Sequence, residues 1–142
     1  MEDTNIFKLI RTVELFTNET IVKWTKAFPY HIGISSILVL SELRTNGMQK
    51  QSVLSNNLGY TPGAMTNIAN KLLKEGYAER KYDENDRRIV LLSITDKGLT
   101  VIHEAQKTGW ELRKEIFGVL SEEEIKQFLA IHEKLLWHVE KE

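Results

Sequence analysis

Asp83-Glu84-Asn85-Asp86-Arg87-Arg88-Ile89-Val90-Leu91-Leu92-Ser93-Ile94-Thr95-Asp96-Lys97-Gly98 is the stretch on which the fold turns. It opens with acidic, amide and basic side chains and then runs into aliphatic and β-branched ones. A turn rich in Asp and Asn cannot offset its ordering entropy by burial, whereas the segments on both sides are apolar, so the stretch reads as a hairpin tip thrust into solvent. Tyr77–Tyr82 is then the first strand and Ile89–Thr95 the second. Two adjacent arginines at such a tip, Arg87 and Arg88, point to an anionic contact, and the residues upstream decide its kind.

Immediately before the hairpin, Thr61 as N-cap and Pro62 at the first helical position open a helix that Gly76 closes. At 100° per residue its two sides separate. Met65, Ile68, Ala69, Leu72 and Leu73 form an apolar side. Gly63, Asn67, Asn70, Lys71 and Lys74 form a polar one, with Thr61, Ala64 and Thr66 on its N-terminal flank. A short helix from Gln49 to Asn57, with Val53, Leu54 and then Leu58 inward, precedes it across Gly59-Tyr60. Before that, a helix starts at about Ser35, carries Ile37, Leu38, Leu40, Ser41 and Leu43, and ends at Asn46-Gly47. Helix, short Gly-containing turn, helix and hairpin together outline a winged helix-turn-helix. Short amides, a hydroxyl and lysines on the polar side of the second helix suit a DNA major groove, and wing arginines suit the neighbouring minor groove.

Outside this centre the chain is helical. Ile6, Leu9, Ile10, Val13, Phe16, Thr20, Trp24 and Phe28 recur at helical steps up to Pro29, with Asp3, Thr4 and Asn5 as N-cap choices. A fifth helix from about Asp96 carries Leu99, Ile102, Ala105, Gln106, Gly109, Trp110, Arg113, Ile116 and Phe117, and Gly118 ends it. Ser121-Glu122-Glu123-Glu124 is a capping box that opens a sixth, with Ile125, Phe128, Leu129, His132, Leu135, Leu136 and Val139 in phase. One winged unit cannot bury so many apolar stripes, so these helices are expected to pair across a twofold axis in a homodimer. The expected architecture is mainly α with a small β-hairpin wing. It is a single domain, 1–142, with dimerisation helices at 1–30 and 99–142 and a winged helix-turn-helix lobe at 34–98.

Composition narrows the functional classes. The chain has 142 residues, 42% of them apolar, enough for one domain without staples. Cysteine is absent, which excludes disulfides, thiolate ligands and thiol redox sensing and suits a reducing compartment. No apolar run approaches a membrane span and the N-terminus has no signal-peptide pattern, so a cytoplasmic location is expected. The net charge of −1 conceals a division, since residues 44–97 hold nine Lys and Arg against six Asp and Glu, and the rest ten against fourteen. A basic centre within acidic flanks is suited to phosphates. Phosphate-loop, nucleophile-elbow, dinucleotide and His-Glu-x-x-His motifs are all missing, so no enzymatic activity and no cofactor are expected. His31, His103, His132 and His138 include no His-x-x-x-His pair, and no metal site is assigned.

The wing pattern Asp-x-Arg-x-x-x-Leu-x-Leu-Thr-x-x-Gly is met by Asp86, Arg88, Leu92, Thr95 and Gly98, with Ile94 departing at the second Leu. Together with Thr61-Pro62-Gly63-Ala64-Met65-Thr66 and Leu72-Leu73-Lys74-Glu75-Gly76-Tyr77, it resembles the MarR family of bacterial transcription regulators over nearly the whole chain. The resemblance implies a homodimeric DNA-binding regulator, usually a repressor, on a pseudo-palindromic double-stranded operator, whose grip is altered by a small-molecule effector, a metal or oxidation. It also implies that Arg88 enters the minor groove while Asp86 orients it, in agreement with the bidentate pairing of a carboxylate and a guanidinium. Many members carry Arg and Asp where this chain has Asn67 and Asn70, so the operator sequence does not transfer.

The expected DNA-contacting residues are therefore Thr61, Gly63, Ala64, Thr66, Asn67, Asn70 and Lys71 on the helix, Asp86 and Arg88 in the wing, and Lys50, Lys74, Arg80 and Arg87 toward phosphates. For an effector the resemblance points between the dimer helices and the winged lobe, where Trp24, Tyr30 and His31 are the candidates. A metal-responsive regulator and a winged helix used only for protein contacts are the alternatives. The latter predicts binding with little salt dependence.

Overall fold

The structure is a computed structural model that describes residues 2–141. In chain order its helices are α1 (Glu2–Ala27), α2 (Ile34–Asn46), α3 (Gln51–Leu58) and α4 (Pro62–Lys74), then the strands β1 (Ala78–Tyr82) and β2 (Val90–Ile94), then α5 (Asp96–Phe117) and α6 (Glu122–Glu140). It is the mainly helical architecture with a β-hairpin wing that the sequence predicts. Packing groups Ile21–Thr108 into one compact unit, and the stretches up to Thr20 and from Gly109 onward into another.

Most boundaries follow local chemistry. Thr61 caps α4 by accepting the Ala64 N–H at 3.1 Å, with Pro62 inside the first turn. Gly59 ends α3 and Gly76 follows α4 at φ of 72° and 77°, a region that favours glycine. Ser121 and Glu124 complete the capping box of α6, at 3.1 and 2.9 Å. Helix α1 departs from expectation, since it begins at Glu2 and Asp3, Thr4 and Asn5 lie within it rather than capping it. The third helix begins at Gln51 instead of Gln49, because Gln49 exchanges two backbone hydrogen bonds with Leu92, at 3.1 and 2.8 Å, and so lies as an extra strand residue beside β2. The hairpin is antiparallel with Ala78 opposite Ile94 and Tyr82 opposite Val90. Each strand is shorter than expected, since Tyr77 donates its N–H back to Leu72 O of α4 and Ile89 turns back to Asp86 O.

In the Ile21–Thr108 unit the core is Val39, Leu40, Leu43, Leu54, Met65, Leu72, Val101 and Ile102, all essentially without solvent contact. Two expected core positions face water, Leu38 at 47% and Val53 at 41% exposure. Helix α2 buries the Ser36, Val39, Leu40 and Leu43 stripe, and Leu38 falls on the opposite side of the turn. In the other unit Phe117 lies between Phe16 and Phe128, with ring centroids 6.2 and 5.8 Å away. His132 stacks on Phe128 at 4.2 Å. Here the apolar stripes of α1 and α6 are solvent-facing: Ile6, Leu9, Ile10, Val13, Leu129, Leu135 and Leu136 are exposed, and α6 has no buried residue. No helix among the described residues is long and apolar enough to cross a membrane.

Candidate nucleic-acid interface

Helix α4 is anchored by Met65, Ala69 and Leu72, which are buried, and its opposite side is offered to solvent. Gly63, Ala64, Thr66, Asn67, Asn70, Lys71 and Lys74 are all exposed. The amides and lysines are thus presented together. Thr66 differs from them, because its hydroxyl donates to Pro62 O at 2.9 Å and accepts from Gln51 Nε2 of α3 at 3.0 Å.

The wing tip is built on two aspartates. Asp83 Oδ1 accepts the backbone N–H groups of Asn85 and Asp86 at 2.8 and 3.2 Å, which folds the turn. Asp86 Oδ1 then accepts the Arg88 N–H and Nε at 3.0 Å each, and Asp86 Oδ2 accepts Nη2 at 3.0 Å. The guanidinium is held in a planar fork while 91% of the Arg88 side chain stays exposed. The bond from Arg88 holds the Asp86 carboxyl below the usual aspartate value, with help from the Arg88 backbone N–H and the Lys50 charge. The same bond raises the Arg88 guanidinium. Arg87 takes another direction, over the Tyr82 ring at 5.6 Å. Arg80 is exposed on β1, and its neighbour Lys81 pairs with Glu79 at 3.5 Å on the surface.

The rest of the wing pattern works inward. Leu92 is buried, and the Thr95 hydroxyl donates to Gly76 O at 2.6 Å while accepting the Gly98 N–H at 3.1 Å. At Gly98 a Cβ would lie 2.2 Å from Tyr77 O and 2.7 Å from Ile94 Cγ1, so the first turn of α5 approaches the strand closely only because this residue has none. Lys97 donates to Glu75 O at the end of α4, at 2.7 Å, with its ammonium 4.9 Å from the Tyr77 ring centroid. Gln49, Gln51, Tyr82 and Lys97 are contributors that sequence reading missed. Their partners are set by tertiary contact and leave no local pattern.

The candidate effector residues separate. Trp24 is buried, donates Nε1–H to Ala105 O at 3.0 Å and stacks on Phe28 at 4.7 Å, and Phe28 meets the half-exposed Tyr30 ring at 5.2 Å. His31 instead lines a cleft of about 640 Å³ between the start of α2 and the exposed side of α4, together with Ser36, Asn67, Lys71 and Lys74. Among the described residues no three His, Cys, Asp or Glu side chains converge on a possible metal position.

Residues 32–90, which hold the helix-turn-helix and the wing tip, match the model of the MarR family. The HTH-type transcriptional regulator PrsX of Escherichia coli is 33% identical over 113 residues, spanning 78% of this chain and 68% of PrsX. The chain belongs to the MarR family. Transcriptional repressor MprA of E. coli strain K12 is 32% identical over 114 residues, 80% of this chain and 65% of that protein. A mutant of E. coli MarR complexed with operator DNA superposes with a TM-score of 0.75 over 96% of its chain and 93% of this one, at 23% identity. In the wing of this MarR-family chain Asp86 and Arg88 are a formed ion pair, and Thr95 and Gly98 seat the first turn of α5.

Proposed function

We propose that this MarR-family regulator is a cytoplasmic homodimeric repressor that binds a pseudo-palindromic double-stranded operator and is released by a small ligand. The observation that carries the DNA reading is the Asp86–Arg88 fork, an almost fully exposed guanidinium already held in a fixed plane, in the same compact unit as the solvent-facing amides and lysines of α4. An arginine ordered in advance loses less freedom on entering a narrow groove. Asn67 and Asn70 are assigned to base edges, and Lys50, Lys71, Lys74, Arg80 and Arg87 to phosphates and the groove walls. MprA, named a repressor, and the DNA-bound MarR support the direction of control and the partner. Dimerisation is supported by the long exposed apolar stripes of α1 and α6, which a lone soluble chain rarely leaves open.

The cleft supports ligand release. Lys71 and Lys74, set against the single carboxylate of Glu75, favour an anion and Ile68 and Leu72 an apolar body, so an aromatic carboxylate is the class that fits. Such a ligand would cover Asn67, Lys71 and Lys74, and would therefore compete with DNA. Selection from a random duplex pool tests the whole reading. The expected result is a twofold-symmetric site with half-sites about one helical turn apart, bound with log affinity falling linearly in log salt and weakened by aromatic acids. Absence of any enriched sequence would overturn it.

A further inference from the structure

We infer that Thr66 reads a thymine through its γ-methyl group, and that Gln51 is the positioning residue that turns this methyl, rather than the hydroxyl, toward the DNA. The inference rests on the operator-binding reading above and deepens it at one side chain.

A threonine hydroxyl has one proton to give and two lone pairs to receive. In Thr66 the proton goes to Pro62 O, one turn back in the same helix, and one lone pair is filled by the Gln51 amide at 3.0 Å. The reverse orientation of that amide would set its oxygen against a hydroxyl whose proton is already committed, so Gln51 acts as the donor. Threonine in a helix divides between two χ1 rotamers, because its hydroxyl can reach a carbonyl one turn back. The bond from α3 to the same oxygen is what holds Thr66 in one of them. With the oxygen tied to protein on two sides and the residue exposed, the methyl is the group left to meet a ligand. Thr66 is exposed and precedes Asn67 on the polar side of α4. The major-groove group complementary to an outward methyl is the C5-methyl of thymine. A purine N7 acceptor gains nothing, because no free hydroxyl proton faces it.

The test uses the full-length protein and an operator taken from the duplex selection, with each thymine replaced in turn by uracil, which removes only the methyl. One thymine in each half-site should show about a fourfold loss of affinity, the value of one buried methyl or methylene group. Thr66→Ser keeps the hydroxyl and loses the methyl, so its preference for thymine over uracil at that position should vanish. Gln51→Ala and Gln51→Glu should each reduce that preference at least twofold with an unchanged salt slope, the glutamate because it offers the Thr66 oxygen no donor. A purely structural part for Gln51 would weaken the thymine and uracil operators equally, and that result overturns its assignment. A flat uracil scan with the wild type, or discrimination that survives in Thr66→Ser, overturns the methyl reading while leaving operator binding intact. Failure of the wild type to bind any duplex would instead remove the operator reading, and this inference with it.

Discussion

Arg88 spends its charge twice, once on Asp86 and once, on the proposed reading, on DNA. The fork leaves the outer face of the guanidinium free, so the aspartate orders the arginine without consuming it. Arg88→Ala should lower operator affinity at least tenfold with helicity unchanged, measured by titration and far-UV circular dichroism; equal affinity across a salt series would remove Arg88 from the interface. The fork also has a defined acid limit. Because the folded Asp86 carboxyl titrates below its ordinary value of 3.8, the pairing is complete above that value and is lost only as pH falls through the lower folded one. An NMR titration of the Asp86 carboxyl should therefore find a midpoint under 3.8, moving upward in Arg88→Ala. An unmoved midpoint would refute the pairing. At this scale the sequence was legible where partners are near neighbours, as in Asp86 and Arg88. It was illegible where they meet across the fold, as Gln51 meets Thr66 and Lys97 meets Glu75. Trp24 shows a related difficulty, because an aromatic residue near a helix end suits a ligand pocket and a core equally well until its indole N–H is found on Ala105 O.

Among the elements, the joint between β2 and α5 is the most constrained. Thr95 bonds in two directions, and a Cβ added at Gly98 would lie 2.2 Å from the Tyr77 carbonyl oxygen. Alanine normally stabilises a helix relative to glycine by about 1 kcal/mol. Here Gly98→Ala should do the opposite, lowering stability by about 1–3 kcal/mol through overpacking against backbone that cannot retreat. The urea midpoint of the variant checks this, and a midpoint at or above that of the wild type would contradict the close approach. Boundaries governed by capping chemistry could be read in advance, as at Thr61, Gly59, Gly76 and Ser121. The start of α3 could not, because a backbone bridge from Gln49 to Leu92 depends on the hairpin being present and has no residue signature. In α2 the run Ile37-Leu38-Val39-Leu40 is apolar on every side, so periodicity could not choose Val39 over Leu38.

At the scale of the whole molecule, the apolar surface on α1 and α6 has the composition of an interior and the exposure of a surface. A pair of charges should therefore separate the proposed dimer without unfolding either copy. Leu129→Glu with Leu136→Glu is expected to give a monomer by sedimentation, with helicity retained and operator affinity lowered by at least a hundredfold through loss of bivalence. A persistent dimer would place the interface elsewhere. The two compact units also differ in how the chain supplies them. One is a single unbroken run, Ile21–Thr108, whereas the other is assembled from both ends of the polypeptide. In genetic terms the winged unit is an insert within a helical frame. Recombination with a relative could exchange it as a cassette with two joints, both of which fall inside helices, α1 at Thr20/Ile21 and α5 at Thr108/Gly109. Such joints tolerate new sequence but not new length, since one added residue rotates everything beyond it by about 100°. Natural or engineered exchange of operator specificity should therefore preserve helical phase at these two points, even where the loops between them differ in length.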